Sequence, residues 1–197
     1  MTAAGQNRLC AILAAMPIPW SRRGVDRVLQ TPIFTLERHH LLTAQEEAHA
    51  FHILRCSDWC NILPITADNQ VVMVKQYRYG TDEETLELPG GVIDPEDPNP
   101  LDGARRELLE ETGYEATDIV CTGIIQPNPA MQTNRCHSFL ARNVRKMQEP
   151  ALDAGEDIEV VTVALEEIPD RVARGEIQHA LVVVAFAYAF GLGTKVR

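Results

Sequence analysis

Along the chain, apolar and polar positions mostly follow each other in short strand-like runs, with one clear switch to helical spacing. Residues 31–36 and 51–55 predict short strands. The β-rich runs 60–66 and 70–76 flank Ala67-Asp68-Asn69 and predict a hairpin. A short strand over 85–88 is stopped by Pro89-Gly90-Gly91. Residues 92–102 hold three prolines and no apolar period, which predicts a loop. From about residue 101 to 112 the apolar positions Leu101, Ala104, Leu108 and Leu109 return at spacings of three and four, on one face of a helix. Gly113 just past its end is a natural C-cap. Residues 119–125, 136–141 and 158–165 read as further strands, with a polar loop over 126–134. Residues 166–174 and 177–190 read as helices separated by Gly175. The second is apolar on most sides and is predicted to pack against a sheet. This order predicts an α/β layered domain with a mixed sheet over 31–197, preceded by an extension over 1–30. Within the extension, residues 9–16 read as a short helix; Arg8 is a single charge, and Pro17 and Pro19 fit no signal-peptide cleavage site.

Composition narrows the function classes. The 197 residues, 45% hydrophobic and 23% charged, can form a core without disulfides or a structural metal. A net charge of −10 argues against nucleic acid or an anionic membrane as a partner, while leaving room for a small anionic substrate in a local cationic pocket. No apolar run reaches membrane-spanning length. The five cysteines are odd in number and contain no CxxC pair, so reduced thiols in a cytoplasmic protein are expected. His39 and His40 have no partner pattern, and Trp59 and Tyr77, at strand positions, read either as core or as base-stacking aromatics.

The candidate chemistry lies between Leu86 and Tyr114. Glu107, Glu110 and Glu111 fall at i, i+3 and i+4, so three like charges share one helical face near the helix C-terminus. That arrangement reads either as a solvated acidic face or as a site for a hard divalent cation. Arg106, placed to orient a carboxylate, and the Pro89-Gly90-Gly91 turn, whose bare backbone can approach an ion, favour the second reading.

RELLEETGY, Arg106 to Tyr114, matches the second half of the Nudix box, REUxEExGU, at every specified position. The chain therefore resembles a Nudix hydrolase. The full box has a Gly, five residues, a Glu and seven residues before the Arg; here five residues lead from Gly91 to Asp97, and eight separate Asp97 from Arg106. Either Asp97 or Glu96 stands in for the first glutamate. VVMVKQYRYG followed by LELPGG resembles the ADP-ribose pyrophosphatase branch, as do Pro129, sixteen residues after Gly113, and AGEDIEVVTV, whose Glu156 matches an acidic loop that reaches the metals. Ala154 stands where some relatives have a second glutamate. The similarity covers about residues 51 to 192.

The resemblance implies a Nudix-like α/β/α sandwich that hydrolyses a nucleoside diphosphate derivative with Mg²⁺, Mn²⁺ being the alternative. It implies Glu107 and Glu111 as principal metal ligands, and Glu110 as a ligand or a base one step back from the metal. The Gly90 carbonyl and Glu156 complete the cluster, with Glu110, Glu111, Glu156 and Arg106 as the catalytic set. Arg106 pairs with a box glutamate. Arg78 meets the substrate phosphates, since a guanidinium offers a planar fork of donors. Glu87 either accepts hydrogen bonds from substrate or stabilises the loop. ADP-ribose, giving AMP and ribose 5-phosphate, is the expected substrate; another nucleotide sugar such as GDP-mannose is the alternative, and a non-hydrolysing nucleotide sensor is a third reading. A homodimer that exchanges N-terminal strands is implied as well, with residues 31–55 placed to do so.

Overall fold

A computed structural model of the chain describes residues 20–152, 155 and 157–191. It divides into two units, Met1–Arg55 and Cys56–Arg197. The helix expected over residues 9–16 lies outside the described residues.

In the first unit, β1 (Ser21–Gln30), β2 (Phe34–Leu42) and β3 (Ala48–Cys56) form a three-stranded sheet in that order. β1 falls within the segment read from sequence as an extension. Two register shifts, between Arg22 and Gly24 and between Arg27 and Leu29, break its alternation. A strand that is bulged and exposed along most of its length leaves little period-two signal in the sequence. The β1–β2 turn is held by Thr31, whose Oγ1 accepts from the Ile33 and Phe34 amides at 3.2 and 3.0 Å. No residue from 20 to 55 is buried.

The second unit is built on a seven-stranded mixed sheet. Its main path runs β12 (Ile158–Ala164), β5 (Gln70–Arg78), β4 (Trp59–Ile65), β10 (Cys136–Arg142), β9 (Asp118–Ile125). β6 (Glu83–Glu87) pairs with β5 and β7 (Gly90–Val92) with β4. The β4–β10 pair is parallel and the others are antiparallel. The hairpin at Ala67-Asp68-Asn69 forms as expected, with Asn69 left-handed at φ 59°.

Helices cover both faces of this sheet. Along β4 and β10, alternate side chains point to opposite layers. Cys60, Ile62 and Phe139 pack with Ala104 and Leu108 of α1 (Pro100–Thr112). Leu63 and Leu140 pack with Val182, Ala185 and Phe186 of α3 (Ala180–Phe190). The expected α/β/α layering with a mixed sheet is therefore present. The apolar last helix packs on the sheet, and Tyr188 lies where a β-carbon on Gly123 would fall 2.6 Å from its ring.

Local signals explain most boundaries. Asn99 caps α1, its Oδ1 accepting from the Leu101 and Asp102 amides, and Pro100 opens the helix. Gly113 closes it at φ 73°. The helix read over 166–174 is a 3₁₀ turn (Leu165–Glu167) leading into α2 (Ile168–Ala173), and Ile177 to His179 precede α3 rather than opening it. Gly90 and Gly91, read as a turn, and Val92, read as the start of a loop, form β7 because the sheet offers them backbone partners at Asn61, Cys60 and Trp59. The two-residue strands β8 (Tyr114–Glu115) and β11 (Arg145–Lys146) pair with each other.

Candidate metal and phosphate site

Pairing of β7 with β4 presses the glycine turn flat against the sheet, beside α1. A β-carbon on Gly90 would meet the Cys60 carbonyl oxygen at 2.3 Å and Asn61 Cα at 2.8 Å. With no side chain there, the Gly90 amide reaches Glu111 and donates to its Oε2 at 2.9 Å. Gly91 lies equally close to Glu107, whose Oε1 would be 2.5 Å from a β-carbon. Glu107 and Glu111 are buried, while the Glu110 side chain is 45% exposed and remains open to solvent.

Arg106 offsets the crowded charge. Its Nη1 lies 2.9 Å from Glu110 Oε2 and 3.1 Å from Glu107 Oε1. Its Nη2 lies 3.1 Å from Asp97 Oδ2, 3.3 Å from Asp94 Oδ2 and 3.2 Å from the Val92 carbonyl. Asp97 thus takes the place opened by the longer loop, and the Asp94 amide donates to its Oδ2 at 2.9 Å. Gly103 of α1 makes room for it, since a β-carbon there would be 2.9 Å from Asp97 Oδ2. Glu96 is exposed. The hydrogen bond from Arg106 holds the Asp97 carboxyl below its usual range, and the carboxylates around Arg106, Asp97 first, raise the guanidinium further above its own.

The expected phosphate-binding cation is held from behind. Arg78 Nε and Nη2 fork onto Glu87 Oε1 and Oε2 at 2.7 and 2.9 Å, and Thr85 Oγ1 donates to Oε1 at 2.6 Å. Burial pushes the Glu87 carboxyl up, but the bonds from Arg78 and Thr85 outweigh it and leave its pKa below the ordinary value. Arg78 lines a cavity of about 300 Å³ together with Gln76, Gly90, Gly91, Glu107, Glu110 and Glu111. Glu87 lies behind Arg78 and is not among the residues that line it.

Glu156 lies outside the described residues. The chain leading to it is anchored on α1: the Ala151 amide donates to the Glu110 carbonyl at 2.7 Å, and the Met147 amide to the Gly113 carbonyl at 2.8 Å. Ala151 is thereby drawn into the cavity wall. It carries no signal in the sequence. Gln76 does, because alternation along β5 puts it on the same face as Arg78. Tyr77 is half exposed and bonds Asp82 through its hydroxyl, and Trp59 is half buried in β4. His39 and His40 do have partners, Glu37 and Asp26, on the sheet of the first unit.

Among the described residues, no three acidic, histidine or cysteine side chains form a ready-made metal cage. Glu107 and Glu110 are turned to Arg106, and Glu111 to the Gly90 amide. The donor set still fits a hard divalent cation: three carboxylates of one helix face stand beside a turn stripped of side chains.

The NUDIX domain family model matches residues 60–183. The chain belongs to the Nudix family. It is a Nudix-type pyrophosphohydrolase, of a family whose members act on small nucleotides and generally use divalent metal cations. It is 31% identical over 128 residues to the ADP-ribose pyrophosphatase of Bacillus subtilis (strain 168), covering 64% of this chain and 69% of that protein. It is 30% identical over 129 residues to the methanol dehydrogenase activator of Bacillus methanolicus, with the same coverage. The GDP-mannose pyrophosphatase of Escherichia coli O9:H4 (strain HS) is 26% identical over 179 residues, 83% of this chain and 91% of that protein. A crystal structure of an ADP compounds hydrolase shares the fold, with a TM-score of 0.79 at 21% identity over 89% of this chain and 94% of that one. No helix of this Nudix protein, among its described residues, is long and apolar enough to cross a membrane.

Proposed function

We propose that this Nudix hydrolase cleaves the pyrophosphate bond of ADP-ribose, releasing AMP and ribose 5-phosphate. The observation that carries the reading is the cavity itself, where Arg78 lines about 300 Å³ together with Glu107, Glu110 and Glu111. A guanidinium and a carboxylate set able to hold a cation, lining one cavity, suit a diphosphate. The B. subtilis relative, named for ADP-ribose, supports the choice of nucleotide.

Arg78 binds and orients the phosphates with its guanidinium, which Glu87 holds in place. Glu107, Glu110, Glu111, the Gly90 carbonyl and Glu156 hold Mg²⁺, which when bound polarises phosphoryl oxygens and lowers the pKa of water. The oxygen of a water molecule bonds to one phosphorus, and the bond from that phosphorus to the bridging oxygen breaks. The water proton passes to a carboxylate of the set Glu110, Glu111 and Glu156. Arg106 bridges Glu110 and Glu107 through Nη1 and offsets their charge at the cavity wall. Glu87 acts by fixing Arg78.

The first unit supports a homodimer. Among the described residues, Val25, Val28, Leu29 and Phe51 are exposed on a three-stranded sheet none of whose residues is buried, which suits a covering partner. A second copy of the chain is the proposed cover. Four free cysteines among the described residues are consistent with a cytoplasmic enzyme.

GDP-mannose is the second reading, favoured by the extent of the E. coli match, which runs beyond the family domain. A product assay with Mg²⁺ separates the two: ADP-ribose, GDP-mannose, NADH, a diadenosine polyphosphate and a nucleoside triphosphate are compared, with and without chelator. AMP released from ADP-ribose in preference to the others supports the main reading. Preference for GDP-mannose replaces the substrate, and tight nucleotide binding with no turnover makes the protein a sensor.

A further inference from the structure

Behind Arg78, the support of the phosphate-binding fork does not end at Glu87. Three of the contacts on this buried carboxylate come from β5 and β6: Arg78 Nε and Thr85 Oγ1 on Oε1, and Arg78 Nη2 on Oε2. On the other side, Oε2 faces Nε2 of His179 at 3.8 Å. Nδ1 of the same ring is fully buried and has no hydrogen-bond partner among the described residues. A carboxylate has room for about four donors; Oε1 already accepts two and Oε2 one.

The backbone of His179 is firmly held. It is the N-cap residue of α3, and its carbonyl accepts from the Val182 and Val183 amides at 3.0 and 3.1 Å. Its side chain makes no capping bond, which leaves the ring to face Glu87. The same helical turn is tied to the sheet by Asn61 Nδ2, which donates to the Leu181 carbonyl at 3.1 Å. Asn61 is also the ladder partner of Gly90. One residue of β4 therefore fixes both the start of α3 and the turn beside the glutamates.

We infer that His179 is a positioning residue for phosphate binding: it backs the Oε2 side of Glu87 and so sets the direction in which Arg78 enters the cavity. The inference rests on the reading that Arg78 binds the phosphates. His179 does not itself line the cavity, and it acts through Glu87. Nothing in the box motif or in the strand bearing Arg78 points to it, since it comes from a different layer and lies 101 residues after Arg78 (179 − 78).

The test compares H179L, H179Q, R78K and the double variant H179L/R78K, all as full-length protein, by steady-state kinetics on the substrate that the product assay selects. Loss of the ring that backs Glu87 at 3.8 Å is expected to raise KM about threefold in H179L while kcat changes little. H179Q, whose amide nitrogen can occupy the place of Nε2, is expected to return KM close to the wild-type value. Adding H179L to R78K is expected to add less than it does alone, because both act on one fork. Melting temperatures of all variants are taken alongside. A KM unchanged in H179L, with R78K impaired, overturns this inference alone. So does a loss in H179L that H179Q fails to rescue and that follows the melting temperature, which marks a packing role. An unchanged KM in R78K overturns the assignment of Arg78 and this inference with it.

Discussion

Gly91 and Glu107 stand so close that a β-carbon on Gly91 would lie 2.5 Å from Glu107 Oε1. The neighbouring Gly90 is equally confined, but by backbone: the Cys60 carbonyl oxygen at 2.3 Å and Asn61 Cα at 2.8 Å. The two glycines should therefore fail differently. In Gly91→Ala the carboxylate swings away, so turnover is expected to fall by about 10² while stability changes by about 1 kcal/mol or less. In Gly90→Ala the sheet itself must shift, at a cost of about 3 kcal/mol in stability. Chemical denaturation and kcat measured on both variants check this, and equal losses of stability would refute the distinction.

Glu111→Gln removes one charge from a crowded helix face but keeps an oxygen that can accept from the Gly90 amide. The fold is expected to survive nearly unchanged, with turnover reduced by about 10² or more. Retention of full activity by a folded variant would remove Glu111 from the metal set.

Asp97 holds Arg106 on the side away from Glu110, whereas Glu96 is exposed. Asp97→Ala should release the guanidinium and lower kcat about tenfold, and Glu96→Ala should leave kcat within about twofold of wild type. The reverse pattern in a paired kinetic comparison would transfer the role to Glu96.

Arg78→Lys keeps the charge but cannot occupy both Glu87 oxygens and a phosphate with one planar group. KM for the nucleotide is expected to rise about tenfold or more, with a smaller change in kcat. Isothermal titration with a product nucleotide offers an independent check, since its affinity should weaken in parallel.

In the first unit, the fork of Arg55 onto Glu37, helped by His39, holds the Glu37 carboxyl at about 2 rather than 4.5. Because the folded pKa is the lower one, the ionised carboxylate stabilises the fold fully above pH 4.5. That contribution is lost as pH falls from 4.5 through about 2. Glu37→Gln should melt below wild type at pH 5 and above, and the gap should close toward pH 2. Melting curves in which the gap is independent of pH would show that the ion pair contributes nothing.

The sequence by itself determined the acidic helix, its glycine C-cap, the glycine turn and the family. These are local patterns, in which spacing along the chain translates directly into spacing on one helix face or around one turn. It also foretold the hairpin at Asn69 and the apolar helix on the sheet. It was silent on β1, because two bulges on an exposed strand erase the alternation that marks a strand. It left Glu96 and Asp97 open, since counting residues cannot say which of two carboxylates in an irregular loop turns toward Arg106. The role of Glu87 was likewise undecided between substrate and loop. Only the tertiary structure placed it behind Arg78, with His179 from another layer beyond it and Ala151 in the cavity wall. Those relations join β5, β6, α1 and α3. They exist because the sheet brings distant strands and helices to one edge, and no periodicity along the chain records which residues meet there.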